Sequence, residues 1–383
     1  MLRKARLEVT PQKHKIAFQS YPDYSDNAAA LCDYILENED MSKIEIHWFV
    51  QNIKAPVPEK YQGRVQVHDA RVRCGDYCEE AVRAAYSCGI IFFTHDFLLR
   101  SADRKIEQLV VCLWHGCGVK AAGEEKAPAA FDYLTITGPA FFNIHGPIFR
   151  VEKDKMLPLG YPRNDIIKNG NQKAKDYVKS IASDNEKIIV WMPTFRKSTL
   201  TDCEEAKCIH SGDLPLVEGV ENLHKIDEIC GKEGIVLLIK RHPFQPKYSE
   251  ESEAFSNIKF ISSEDLKSEG VDLYALLHET SGLISDYSSV ATDYMLLDKP
   301  MAFSLEDFEE YKTNRGFAMD NPLDYLPGYY LYNLEDMMEF IKDIALGNDK
   351  SRAKRLEMNK TMNVESESYS KDIWEFVKEK VNG

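Results

Sequence analysis

The chain has 383 residues, 44% of them hydrophobic and 29% charged, a length and profile suited to two ordinary globular cores. Its formal net charge of −14 excludes a general nucleic-acid binder, which needs a basic face to neutralise phosphates. No apolar run reaches the roughly 18 residues that span a bilayer, and the basic first six residues lack the apolar stretch of a signal peptide. The nine cysteines show no zinc-knuckle spacing, so reduced thiols in a cytoplasmic protein are expected.

In chain order, short β-rich apolar runs alternate with stretches of helical spacing, the pattern of parallel sheets built from βαβ units. In the first half strands are predicted at 16–19, 44–50, 65–68, 90–94, 109–114 and 133–137, with helical spacing over 27–37 and 77–85. After Leu159-Gly160-Tyr161-Pro162 the chain turns polar through 168–186, read as a helix leading into a domain boundary. The second half restarts the pattern, with strands predicted at 188–192, 235–239, 258–261, 282–285 and 301–303. The stretch 197–216 has no period and reads as a loop, and 370–381 sets Ile373, Phe376, Val377 and Val381 on one helical face. The expected organisation is an N-terminal domain over 1–170, a C-terminal domain over 171–360 and a last helix over 361–383 packing back on the first domain. The expected class is α/β: two Rossmann-like domains facing each other across a cleft, the arrangement called GT-B.

Ligands of open α/β sheets bind outside the carboxyl ends of the strands, so polar residues at those ends are the candidates for a site. His115 follows the apolar run 109–114 and precedes Gly116, and His242 follows 235–241 and precedes Pro243. The stretch Ser285-Asp286-Tyr287-Ser288-Ser289 reads as a strand end, a tight turn and a helix start. A helix start attracts phosphate through its free N–H groups and dipole, and Ser288 and Ser289 add hydroxyls; serine caps helices without any ligand as well. Asp286 stands in the same turn, and Lys120, Arg163, Arg196 and Arg241 occupy comparable turns, together a local basic set for a pyrophosphate. There is no P-loop, glycine-rich Rossmann fingerprint, zinc helix or nucleophile elbow. No metal site or cofactor is predicted, and assistance by a divalent metal is left open.

These residues lie in a series of motifs. Trp114-His115-Gly116-Cys117-Gly118-Val119-Lys120 resembles the WHGTPLK signature of the CDP-glycerol glycerophosphotransferase family, the primases and polymerases of wall teichoic acid. Tyr24-Ser25-Asp26-Asn27, Gly160-Tyr161-Pro162-Arg163-Asn164-Asp165, Met192-Pro193-Thr194-Phe195-Arg196 and Arg241-His242-Pro243 are similar to further motifs of that family, in family order. So are Ile284-Ser285-Asp286-Tyr287-Ser288-Ser289-Val290, Asp298-Lys299-Pro300 and Arg315-Gly316-Phe317. One departure is that Cys117-Gly118-Val119 stands where the family has Thr-Pro-Leu, which removes a hydroxyl and a stiff turn beside His115.

The resemblance implies a GT-B transferase that moves glycerol phosphate, or a related polyol phosphate, from a CDP-alcohol to an acceptor hydroxyl with release of CMP. His115 would be the general base on the acceptor side. His242 would act on the donor phosphates, with Arg241, Ser288, Ser289, Asp286, Arg196, Arg163 and Lys120 binding the donor. CDP-glycerol or CDP-ribitol is the expected donor, and a lipid-linked saccharide or polymer the expected acceptor. Such an acceptor would bring the protein to the inner face of the membrane. The alternatives are a GT-B glycosyltransferase using a nucleotide sugar, and a catalytically degenerate nucleotide-binding relative.

Overall fold

The computed structural model describes residues 2–73, 76–99, 104–121, 131–193, 214–240 and 254–382. The chain folds into two compact units, one of Met1–Gly116, Glu124–Asp165 and Met362–Gly383, the other of Cys117–Gly123 and Ile166–Thr361. The units divide at 165/166, the last helix belongs to the first unit, and the residues just after His115-Gly116 belong to the second.

In the first unit the strands are β1 (Gln12–Gln19), β2 (Glu45–Val50), β3 (Gln66–Asp69), a small antiparallel pair β4 (Val72–Arg73) and β5 (Asp76–Tyr77), then β6 (Cys88–Phe93), β7 (Leu109–Cys112), β8 (Tyr133–Ile136) and β9 (Met156–Pro158). Seven of them form one parallel sheet in the order β3-β2-β1-β6-β7-β8-β9. A parallel sheet covered on both faces needs unbroken apolar strands, and Cys88–Phe93 is buried along its whole length. Leu31, Cys32 and Ile35 of the helix Asp26–Asn38 pack with Ile16, Phe18 and Trp48 of the sheet, and Ile373, Trp374 and Val377 of the helix Tyr369–Asn382 join the same core. Strand order reverses between β1 and β6, so the ends of β1, β6 and β7 are where a ligand is expected.

The last helix is tied down by Asp165. Its carboxylate accepts hydrogen bonds from the backbone N–H of Tyr369 at 2.7 Å and of Ser370 at 2.9 Å, and from the Ser368 hydroxyl at 3.2 Å. A negative charge there also complements the positive end of the helix dipole. Gly160 makes the approach possible, because it has φ of +74° and a Cβ at this position would overlap the Tyr369 ring. Asp165→Ala is expected to cost about 2 kcal/mol, the upper range for losing a helix cap. Chemical denaturation checks this, and an unchanged midpoint would show that the cap contributes nothing.

In the second unit β10 (Lys187–Trp191), β11 (Ile235–Lys240), β12 (Ile258–Ile261), β13 (Gly282–Ser285), β14 (Met301–Ser304) and β15 (Tyr329–Leu331) form a parallel sheet in the order β12-β11-β10-β13-β14-β15. The helices Val220–Glu233 and Leu334–Leu346 place Leu223, Ile226, Met337, Phe340 and Ile341 against Ile189, Leu237, Ile239 and Ile284. Here the order reverses between β10 and β13, which makes the turn after Ser285 the switch point. The helix expected over 168–186 is shorter, Gln172–Ile181, and a separate helix, Arg163–Asn169, precedes it. Gly170 at φ +59° breaks the run, and Asn171 caps the second helix through Ala174 N at 2.9 Å. Most of the loop read over 197–216 lies outside the described residues.

Candidate active site

In the first unit His115 sits beyond the carboxyl end of β7, half-buried, with its Nδ1 3.4 Å from the carbonyl of Thr94 beyond the end of β6. Two other rings adjoin its own. The His95 ring is stacked on it with centroids 3.9 Å apart and planes 8° from parallel, and the Trp114 ring is 3.8 Å away. Burial, and after it the neighbouring His95, pushes the His115 imidazole down to about 3, so the ring is neutral at ordinary pH. With Nδ1 facing a carbonyl, the favoured tautomer carries its proton there and leaves Nε2 as the acceptor.

The turn that presents His115 is held by its consecutive carbonyls. Asn27 Nδ2 donates to Leu113 O at 3.2 Å and to Trp114 O at 2.8 Å, and Arg163 Nη1 donates to His115 O at 2.8 Å. Arg163 also pairs with Asp26 at 2.6 Å, and its backbone N–H donates to Asn27 Oδ1 at 3.3 Å. Trp114, Asp26 and Tyr24 all adopt positive φ, at 50°, 59° and 56°. Such strain at non-glycine residues persists only where the surroundings enforce it. The motif resemblance implies a donor-phosphate role for Arg163; in the structure it is bonded within the first unit. The residue is 2% exposed, lies in the first unit, and directs its charge at Asp26 and the His115 carbonyl.

In the second unit Ser288 and Ser289 follow β13, half-buried, and precede the short helix Val290–Tyr294. Ser289 occupies the cap position yet its side chain makes no cap hydrogen bond, and among the described residues neither hydroxyl has a hydrogen-bond partner. Asp286 is fully buried in the same turn. The segment after His115 packs here: Thr292 Oγ1 donates to Cys117 O at 2.7 Å, and a Cβ on Gly118 would stand 3.2 Å from Ser289 Cβ. That close approach explains why glycine is accepted at the position. Lys120 then bridges to Phe317, Ala318 N donates to Val119 O at 2.9 Å, and Ala121 N donates to Gly316 O at 3.3 Å. Lys120 thus stands among these motifs through its backbone.

Arg315 adjoins this bridge, and its Nη1 is buried with no hydrogen-bond partner among the described residues. An unmatched guanidinium proton in a protein interior is costly and suits an incoming anion. Arg315 belongs to the motif Arg315-Gly316-Phe317, to which the sequence alone assigns no role. His95 was missed although the same strand-end rule that selected His115 applies to it. Arg196, Arg241 and His242 lie outside the described residues. Among the described residues no cluster of three or more His, Cys, Asp or Glu side chains is arranged to hold a metal ion.

The profile of the family described as CDP-Glycerol:Poly(glycerophosphate) glycerophosphotransferase matches residues 2–378. The chain is 27% identical over 368 residues to a teichoic acid glycerol-phosphate transferase of Staphylococcus aureus (strain NCTC 8325 / PS 47), covering 88% of this chain and 86% of that protein. It is 26% identical over 247 residues to a teichoic acid ribitol-phosphate primase of Bacillus spizizenii (strain ATCC 23059 / NRRL B-14472 / W23), covering 58% of this chain and 57% of that one. The solved structure of the wall teichoic acid polymerase TagF superposes with a TM-score of 0.75 at 20% identity, covering 100% of this chain and 93% of that one, and the shared fold is GT-B.

Proposed function

We propose how this chain, which belongs to the CDP-glycerol:poly(glycerophosphate) glycerophosphotransferase family and is a transferase of that kind, carries out its reaction. An acceptor hydroxyl attacks the β-phosphorus of CDP-glycerol, a new phosphodiester bond forms, the P–O bond to CMP breaks, and the acceptor proton passes to His115 Nε2. Charge in such a transition state is spread over phosphoryl oxygens, so fixed donors supply most of the help. Ser288, Ser289 and Arg315 are the donors assigned to the diphosphate, with Lys120, Arg196, Arg241 and His242 added from the motif resemblance. Asp286 is assigned to holding that turn. The first unit is read as the acceptor side and the second as the donor side.

One observation supports this reading above the others. Within the second unit Gly118 packs on Ser289 and Lys120 bridges to Phe317, so the motifs that hold Lys120, Ser288, Ser289 and Arg315 come together. CDP-glycerol is the donor that the family describes; CDP-ribitol and a lipid-linked saccharide or polymer acceptor are proposed. Among the described residues no helix is long and apolar enough to cross a membrane. Contact with the inner membrane face is assigned to the lipid-linked acceptor.

The test is CMP release from CDP-glycerol and, separately, from CDP-ribitol, each with a soluble analogue of the lipid-linked acceptor. Acceptor-dependent CMP is expected, and its absence with every acceptor tried would sink the reading. Ser288→Ala with Ser289→Ala is expected to weaken CDP-glycerol binding by about tenfold or more, the loss of two hydrogen bonds to a charged group. Titration calorimetry measures it, and unchanged affinity would remove the serines from the donor site.

A further inference from the structure

His95 lies beyond the end of β6, in contact with the rings of His115 and Tyr21. One face of its ring is covered by His115 at 3.9 Å and 8°, while Tyr21, itself 52% exposed, meets it edge-on at 5.8 Å and 75°. Thr94 joins the two imidazoles: its hydroxyl is 2.9 Å from His95 Nδ1 and its carbonyl is 3.4 Å from His115 Nδ1. Thr94 is fully buried and its N–H donates to Gln19 O at 3.2 Å, so this connection is anchored to the sheet. We propose that His95 is a positioning residue for the transfer, fixing the plane of the His115 ring and titrating with it as a single unit. The proposal rests on the reading of His115 as the base.

The stack does two things. A parallel ring in van der Waals contact stops His115 from rotating about its side-chain bonds, which keeps Nδ1 on Thr94 and Nε2 directed away from it. It also makes the two protonations exclude one another, since two stacked imidazolium ions repel. While His95 stays neutral, its π face favours the imidazolium that His115 becomes when it accepts the acceptor's proton. Other charged or titratable groups act on the pair. Asp26 from the helix Asp26–Asn38 favours the charged form of His95, and Arg163 from the helix Arg163–Asn169 disfavours it on both rings. His145 from the helix Phe142–Phe149 disfavours it on His115, Asp96 is the next residue on the turn, and Tyr21 stands at the edge. Burial is the first cause of the low proton affinity of both rings.

His95→Phe and His95→Ala separate the two roles. The phenyl ring keeps the stack and carries no charge, so His115 holds its proton to higher pH. The acid limb of kcat/KM should rise by about one pH unit, the usual scale of one neighbouring like charge, with kcat near that of the parent. His95→Ala frees the ring and should lower kcat about tenfold, the effect of a misplaced catalytic group, with KM for CDP-glycerol unchanged. Nitrogen-15 NMR of the histidine rings follows His115 directly, without turnover, and its titration should move upward in His95→Phe. A His115 titration and a kcat that stay at parent values in both variants would overturn the proposal, as would a change confined to KM. If His115→Ala kept its turnover while His95→Phe still moved the titration, the base assignment would fall and the coupling of the rings would stand.

Discussion

His115→Ala is expected to lower kcat by about 10²–10⁴, the usual contribution of a positioned base, and to leave the affinity for CDP-glycerol unchanged. The second half follows from the role: the ring takes a proton from the acceptor and is not assigned to the diphosphate. His115→Gln is the sharper variant, because it keeps a polar group of similar reach and cannot accept a proton; turnover retained in it would rule out base catalysis. The pH profile carries independent information. A base works deprotonated, so the rate is lost as pH falls through its pKa. In the free protein that value is pushed down to about 3 by burial and then by His95. The acid limb of kcat/KM should therefore lie far below the ordinary histidine value of about 6.5. A base so weak has little driving force for proton transfer. In the proposed reaction the negative charge of the diphosphate favours the imidazolium and raises the value. The acid limb of kcat should accordingly stand at higher pH than that of kcat/KM, and coincident limbs would show that the donor does not act on this ring.

Much of the fold was legible because parallel sheets buried on both faces need runs such as Ile90-Ile91-Phe92-Phe93, whose pattern survives any tertiary detail. The edge strands Met156–Pro158 and Tyr329–Leu331 were not legible, since three residues are too few to show a period. The site divides in the same way. His115, Ser288 and Ser289 stand where strand ends predict them, because a local strand–turn pattern places them. The surroundings of Arg163 were less legible, because a cation at a turn looks the same in sequence whether it faces solvent or a carboxylate, and its partner Asp26 lies 137 residues away in the chain. Asp165 is another case: its ligands are the first N–H groups of a helix about two hundred residues onward, a relation that only the folded chain contains. Motif membership marked all of these residues without dividing them into those that face substrate and those that hold the others in place.

Arg163→Met and Asp26→Ala are each expected to destabilise the first unit by about 3–5 kcal/mol, the cost of leaving one partner of a buried ion pair uncompensated. The side chains are 3% and 16% exposed, so water screens the pair little. Against a total stability of about 5–15 kcal/mol for an ordinary domain, this is a large fraction, readable as a lower denaturation midpoint. Asp26 has φ of +59°, a conformation that asparagine also tolerates. Asp26→Asn therefore keeps the backbone and removes only the charge, and it should fall between Asp26→Ala and the parent. The double variant should be less destabilised than the sum of the singles, since the second substitution removes the charge that the first leaves stranded. Additive losses would show that the pair is not coupled. Ligand binding separates this role from the one first expected of Arg163. A clamp on the His115 carbonyl lowers kcat through a displaced ring and leaves CDP-glycerol binding intact, whereas a phosphate ligand weakens binding directly. Arg163→Met at a temperature where it stays folded should lose turnover at unchanged donor affinity; weakened affinity with preserved kcat would return Arg163 to the diphosphate.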